Sequence, residues 1–118
     1  MKYMLLLYTN GAEAPNYTAE EHQAAAKAWY AFGQEAEAAG VLISNNGLSP
    51  ASDATTVRVR SGKTLVIDGP YAETHEQLAG YYLVDCRDMD DAIGWAAKFP
   101  SAGYGSIEIR PLNQWTQG

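Results

Sequence analysis

Several things are scarce in this sequence. There is 1 cysteine among 118 residues, Cys86, so an internal disulfide is impossible and a cysteine-built zinc site is excluded. The 2 histidines, His22 and His75, do not combine with nearby carboxylates in a metal-ligand spacing, so no metal is expected. Cations are few: 8 Lys and Arg stand against 14 Asp and Glu, for a net charge of −6. A nucleic-acid binder needs clustered cations to replace the counterions around phosphates. Only Arg58, Arg60 and Lys63 cluster here, so direct DNA or RNA binding is not expected. No apolar run approaches the ~20 residues of a membrane helix, and the run at residues 4–7 is too short for the apolar region of a signal peptide. A cytoplasmic protein with no membrane contact is the expectation. There is no glycine-rich phosphate loop and no Ser/His/Asp order, and Gly103-Tyr104-Gly105 reads as a turn, so no cofactor is expected.

What is present suits a single domain over residues 1–118. The apolar share is 47%, and 8 Tyr, 3 Trp and 2 Phe suit a packed core. Residues 3–8 read as a strand. Thr18, with Glu21 three residues on, has the spacing of a capping box, and opens a helix over residues 19–39. Ala25, Ala28, Trp29, Phe32, Ala36 and Ala39 form its apolar face, and Gly40 stops it. Trp29 and Phe32 are read as core. A second strand starts at residues 41–43 and is expected to break at Asn45-Asn46-Gly47. Residues 55–60 and 63–67 form a hairpin around Ser61-Gly62. Residues 71–78 read as a loop or one helical turn, and 79–84 as a strand. Asp88 caps a helix to about residue 98, with Met89, Ala92, Ile93, Ala96 and Ala97 on one face, and 106–110 form the last strand. The order β-α-β, hairpin, β-α-β matches a ferredoxin-like split βαβ arrangement of class α+β with an inserted β-hairpin. Right-handed crossovers put both helices on one face of an antiparallel sheet.

The other face is then a problem. The first strand is apolar on both sides, Tyr3, Leu5 and Leu7 against Met4, Leu6 and Tyr8. The Tyr-rich strand repeats this, Tyr81 and Leu83 against Tyr82 and Val84. A sheet with one wet face normally alternates apolar with polar. A second copy packed face to face around a twofold axis resolves the conflict, so a homodimer is expected.

The most distinctive stretch is Asp68-Gly69-Pro70-Tyr71-Ala72-Glu73-Thr74-His75-Glu76-Gln77-Leu78. Gly69 permits a turn that other residues resist, and Pro70 fixes the chain direction. Asp68 either caps that turn, in which case Asp68→Ala would cost roughly 0.5–2 kcal/mol, or acts as a general base if a cleft buries it. Glu73 is either its carboxylate partner or a solvated loop residue. His75 is read as a surface histidine, with a proton shuttle tuned by Glu73 and Glu76 as the functional alternative. Tyr71, Gln77, Tyr81, Tyr82 and Tyr104 are candidates to line a pocket for a planar or apolar molecule, or to serve as interface aromatics. Cys86 is read as a buried small side chain.

The stretch Asp-Gly-Pro-Tyr-Ala-Glu-Thr resembles the signature of the DGPF proteins, a branch of the YCII-related family, with Tyr71 where the motif has Phe. The resemblance covers nearly the whole chain, from Lys-Tyr-Met-Leu-Leu at the start to Ser-Ile-Glu-Ile-Arg-Pro near the end. It implies a ferredoxin-like fold that pairs as a dimeric α+β barrel. It implies little about activity. The classical branch is proposed to use a His–Asp pair in a cleft, but Trp29 occupies the corresponding helix position here, so that pair is not carried over. Relatives in the DGPF branch usually have Lys at the position of His75. They also occur beside or joined to extracytoplasmic-function sigma factors, which makes such a factor an implied partner.

Two readings of function follow. One is a small cofactor-independent enzyme that binds a small organic molecule near the Asp68-Gly69-Pro70 loop. The other is a non-catalytic binding or regulatory module. An inward-facing, partly desolvated Asp68 or Glu73 beside a concavity would favour the enzyme.

Overall fold

A computed structural model describes residues 1–10, 16–72 and 74–113. Eight principal elements follow one another: β1 (Lys2–Thr9), α1 (Ala19–Ala38), β2 (Leu42–Gly47), β3 (Thr55–Arg60), β4 (Lys63–Asp68), β5 (Gln77–Asp85), α2 (Met89–Ala96) and β6 (Ser106–Pro111). Four strands form one sheet in the order β2-β5-β1-β6, every neighbour antiparallel, while β3 and β4 pair only with each other. This is the ferredoxin-like α+β arrangement with a separate hairpin inserted between its second and third strands. The sheet keeps two edges and does not close on itself.

Pleating sorts the side chains of β1. Tyr3, Leu5 and Leu7 are buried, with Leu5 fully so. Register sets them opposite Val84, Tyr82 and Gly80 of β5, and sets Leu5 and Leu7 opposite Ile109 and Ile107 of β6. Both helices lie on this face. Phe32 and Ala36 of α1 and Ala92 of α2 join the same core, and Phe32, Tyr82 and Phe99 meet at its centre with ring centroids 4.5–5.6 Å apart. The opposite face, with Met4, Leu6, Tyr81 and Leu83, is half-buried by its own neighbours, and none of these residues joins the core.

The helix ends follow from local chemistry. The Glu21 amide donates to the Thr18 hydroxyl at 3.2 Å, and the Thr18 amide donates to the Glu21 carboxylate at 3.1 Å. That amide holds the Glu21 carboxyl below the ordinary carboxylate range. At the other end Gly40, at φ +73°, lets its amide reach Glu37 and the next amide, of Val41, reach Ala36. In α2 the Asp88 carboxylate accepts from the Asp91 amide at 2.9 Å.

Three sequence expectations are revised. β2 does not break at Asn45-Asn46-Gly47 but runs through Gly47, which lies opposite Gly80 of β5. A Cβ on Gly80 would sit 2.9 Å from the Asn46 carbonyl oxygen, so the missing side chain is what lets the two strands approach. Residues 74–76 take the loop of the two conformations expected there, and β5 starts at Gln77 rather than at residue 79. On α2, Met89 and Ile93 are exposed, whereas Phe99 is buried. The helix stops at Ala96, and the turns after it bring Phe99 into the core, which Met89 and Ile93 do not join.

Gly80→Ala is expected to lower stability by about 1–3 kcal/mol through overpacking against β2. Gly94→Ala, on α2 with no atom within 4 Å of a new Cβ, is expected to raise it by about 0.5–1 kcal/mol. Chemical denaturation of the two variants checks both. Equal effects would show that the close approach of β2 to β5 is not what Gly80 provides.

Candidate functional site

The Asp68–Tyr71 turn is held by its backbone. Gly69 adopts φ +103°, a region that disfavours any side chain. Its amide donates to the Ala54 carbonyl at 2.6 Å, and its carbonyl accepts from the Thr56 hydroxyl at 2.8 Å. Arg58 reaches the Tyr71 carbonyl at 3.4 Å. The Asp68 side chain is exposed and bonds to none of these amides, so the turn does not use it as a cap, and the capping cost expected for Asp68→Ala has no bond behind it. Tyr71 is 78% exposed. Glu73 lies outside the described residues.

The other sequence-derived candidates separate. His75 is exposed at a hollow of about 520 Å³ shared with Tyr8, Glu76, Ser106 and Glu108, where Ser106 donates to Glu76 at 3.1 Å. Gln77 spends its amide on the Thr74 carbonyl at 3.0 Å, a bond within its own loop. Tyr81 is on the sheet face away from the helices, and its hydroxyl accepts from Asn46 at 2.9 Å. Only Tyr82 and Tyr104 come together.

They do so in a cleft of about 410 Å³ at the rim of the sheet, on the helix side. Its floor is the end of β1 (Leu7, Thr9) and the start of β5 (Ala79, Gly80, Tyr82). Asn45 of β2 closes one side, and Ser101 and Tyr104, from the segment after α2, close the other. Trp29 of α1 covers it and lies nearly parallel to Tyr82, at 24° and 6.3 Å between centroids. Trp29 was read as core from its helical phase. It sits one turn before Phe32, however, so it overhangs the place where the strands end, and it is half-buried where Phe32 is buried.

The polar groups of the cleft are all neutral. Among the described residues, no Asp, Glu, His, Lys or Arg lines it. Burial pushes the Tyr82 hydroxyl above the ordinary tyrosine range, against the opposing pull of its hydrogen bond with Asn45. Burial does the same to Tyr104, reinforced by Tyr17. Both therefore stay protonated at neutral pH and can donate a hydrogen bond. Ser101 is only 3% exposed, and its hydroxyl has no partner among the described residues. No fully enclosed polar side-chain atom is left unbonded there, so that hydroxyl opens onto the cleft. A second hollow of about 390 Å³, toward Tyr17 and Ala25, shares Trp29 and Tyr104 as a common wall. Elsewhere, Cys86 is buried and its thiol is pushed up by that burial, which leaves it unreactive. Among the described residues no three His, Cys, Asp or Glu side chains gather as a metal would require, and no helix is long and apolar enough to cross a membrane.

Comparison with known proteins gives two matches. A family profile described as the YCII-related domain matches residues 1–116. An uncharacterised protein of Rhizobium meliloti (strain 1021) is 36% identical over 120 residues, covering 100% of this chain and 97% of that protein.

Tyr82 and Tyr104 are expected to ionise above the range of free tyrosine. The folded state favours their neutral forms, so this contribution to stability is complete at neutral pH and is lost as pH rises through the raised values. An ultraviolet absorbance titration of the native protein checks this. Tyr82→Phe should remove one late-titrating group, and removal of an early one instead would place that hydroxyl in water.

Proposed function

The chain belongs to the YCII-related family, and on that footing we propose that it binds a small, uncharged, planar organic molecule in the cleft beneath Trp29. The observation that carries this is the lining. A concavity of about 410 Å³ falls within the size of small-molecule sites, roughly 300–1,000 Å³. Its walls are aromatic rings with a few neutral hydrogen-bonding groups, and it offers an anion no cation to pair with. The near-parallel Trp29 and Tyr82 rings favour a flat ligand. Thr9, Asn45, Ser101 and the two tyrosine hydroxyls supply directional bonds to a carbonyl, hydroxyl or ring nitrogen.

If the protein is an enzyme, proton transfer in this cleft falls to Tyr82 and Tyr104, which lie within it. Asp68 and His75, two of the residues expected to move a proton, do not line this cleft, and His75 stands at the separate hollow beside Glu76 and Ser106. The alternative of a regulatory module docked on a sigma factor draws nothing from a concave site of this kind.

We propose further that the working unit is a homodimer. Met4, Leu6, Tyr81 and Leu83 form an apolar patch on the uncovered sheet face, flanked by Glu108 and Arg110, which pair with each other. Covering such side chains is worth roughly 1.5–3 kcal/mol each, and a second copy of the same face is self-complementary.

Tryptophan fluorescence with a neutral aromatic probe such as naphthol should show saturable quenching, and the matching carboxylate should bind at least about tenfold more weakly, since its charge would be desolvated unpaired. Trp29→Ala should abolish the response and Asp68→Ala should leave it intact. Loss through Asp68→Ala alone would move the site to the hairpin base. In light scattering the protein should run at twice the chain mass and Leu6→Lys at the chain mass. A native protein that stays a monomer at high micromolar concentration would refute the dimer.

A further inference from the structure

Among the described residues, the β3–β4 hairpin pairs with no strand of the four-stranded sheet. Its register puts Val57, Val59 and Val66 on one face, at 58%, 58% and 66% exposure, and Leu65 and Ile67 on the other, at 44% and 47%. Neither strand hydrogen-bonds to the four-stranded sheet. A two-stranded hairpin is at best marginally stable alone in water, and this one leaves apolar side chains wet on both faces.

Three quantities say what covers it. The surface of the chain is 8152 Å², roughly 1,900 Å² more than a folded monomer of this mass exposes. The radius of gyration is 16.5 Å, against roughly 13–14 Å for a compact chain of this length. That excess exceeds the roughly 800 Å² each partner contributes to a standard interface and suits an obligate dimer. Charge then selects the partner. Residues 57–66 carry Arg58, Arg60 and Lys63 and no acid, a charge of +3; since the whole chain carries −6, the remainder carries −9. The tip is thus complementary to the body of another copy, while that body repels the polyanionic surface of a nucleic acid or an acidic membrane.

We propose that each hairpin is an arm that packs on a second copy of the chain, its valine face against that copy's body and its basic tip among that copy's carboxylates. This rests on the dimer reading above, but it is a different contact from the one between sheet faces. The arm would bury the hairpin residues that no element of their own chain covers.

The test is sedimentation equilibrium combined with amide hydrogen exchange. Two variants are compared with the native protein: Val57→Thr with Val59→Thr and Val66→Thr, which keeps β-branching, and Arg60→Glu with Lys63→Glu, which keeps the apolar face. Should the threonine variant lose its hairpin, which circular dichroism and melting would report, the charge variant carries the test. The arm predicts that the threonine variant weakens dimerisation by roughly a hundredfold. It also predicts that the charge variant weakens it by at least roughly tenfold, with a shallower salt dependence than the native protein. In the native dimer the hairpin amides should be protected, and dilution to monomer should release them. If Leu6→Lys dissociates the dimer while both hairpin variants leave it unchanged, the arm fails and the sheet-face dimer stands. A native monomer defeats both. A native dimer whose hairpin amides exchange as fast as those of a free peptide overturns the arm alone.

Discussion

A four-stranded sheet has two faces, and this chain has two helices, both on the same one. Each feature described above follows from how that shortage is distributed. Where α1 and α2 cover the sheet, Tyr3, Leu5, Leu7, Phe32 and Phe99 make a dense core. Where they do not, Met4, Leu6, Tyr81 and Leu83 rely on one another, and the hairpin valines are left more than half exposed. The dimer proposed above answers this shortage, since a second copy of the same face is self-complementary.

The cleft is the same shortage in miniature. The helices are packed tightly against the middle of the sheet by Phe32, Tyr82 and Phe99, but β1 and β5 extend beyond that contact to their rim. There Trp29 bridges from the helix, and Ser101 and Tyr104 return from the segment after α2. The gap between layers is walled by rings and lined by hydroxyls and an amide, the mix of surfaces on which the proposed binding rests. Gly80 contributes by carrying no side chain, which draws β2 close and brings Asn45 to the edge of the space.

The elements were legible where one local rule decided them. The Thr18–Glu21 spacing marks the start of α1, Gly40 its end, and Ser61-Gly62, both at positive φ, the tip of the hairpin. The two-sided apolar alternation of β1 and β5 was visible for the same reason, since pleating has a fixed period. The cleft was legible only in part: Tyr82 and Tyr104 were candidates for a pocket, whereas Thr9, Asn45 and Ser101 are distant in sequence and meet them only after the layers pack. The conspicuous Asp68–Tyr71 motif drew attention to a backbone demand at Gly69, and conspicuousness in a sequence does not distinguish a turn from a catalyst. Helical phase puts Trp29 with Phe32 on the core side, and its place over the strand ends emerges only when the layers pack.

Tyr82 belongs to two structures at once: its ring is part of the central aromatic cluster, and its hydroxyl edge faces the cleft. In the proposed reading, occupancy and folding draw on the same side chain. A guest present at a hundred times its dissociation constant adds about 2.7 kcal/mol to the folded state, a sizeable fraction of the margin by which a domain of this size survives cellular proteases. Abundance of the protein would then follow abundance of its guest, with the empty form cleared first and no dedicated regulator required.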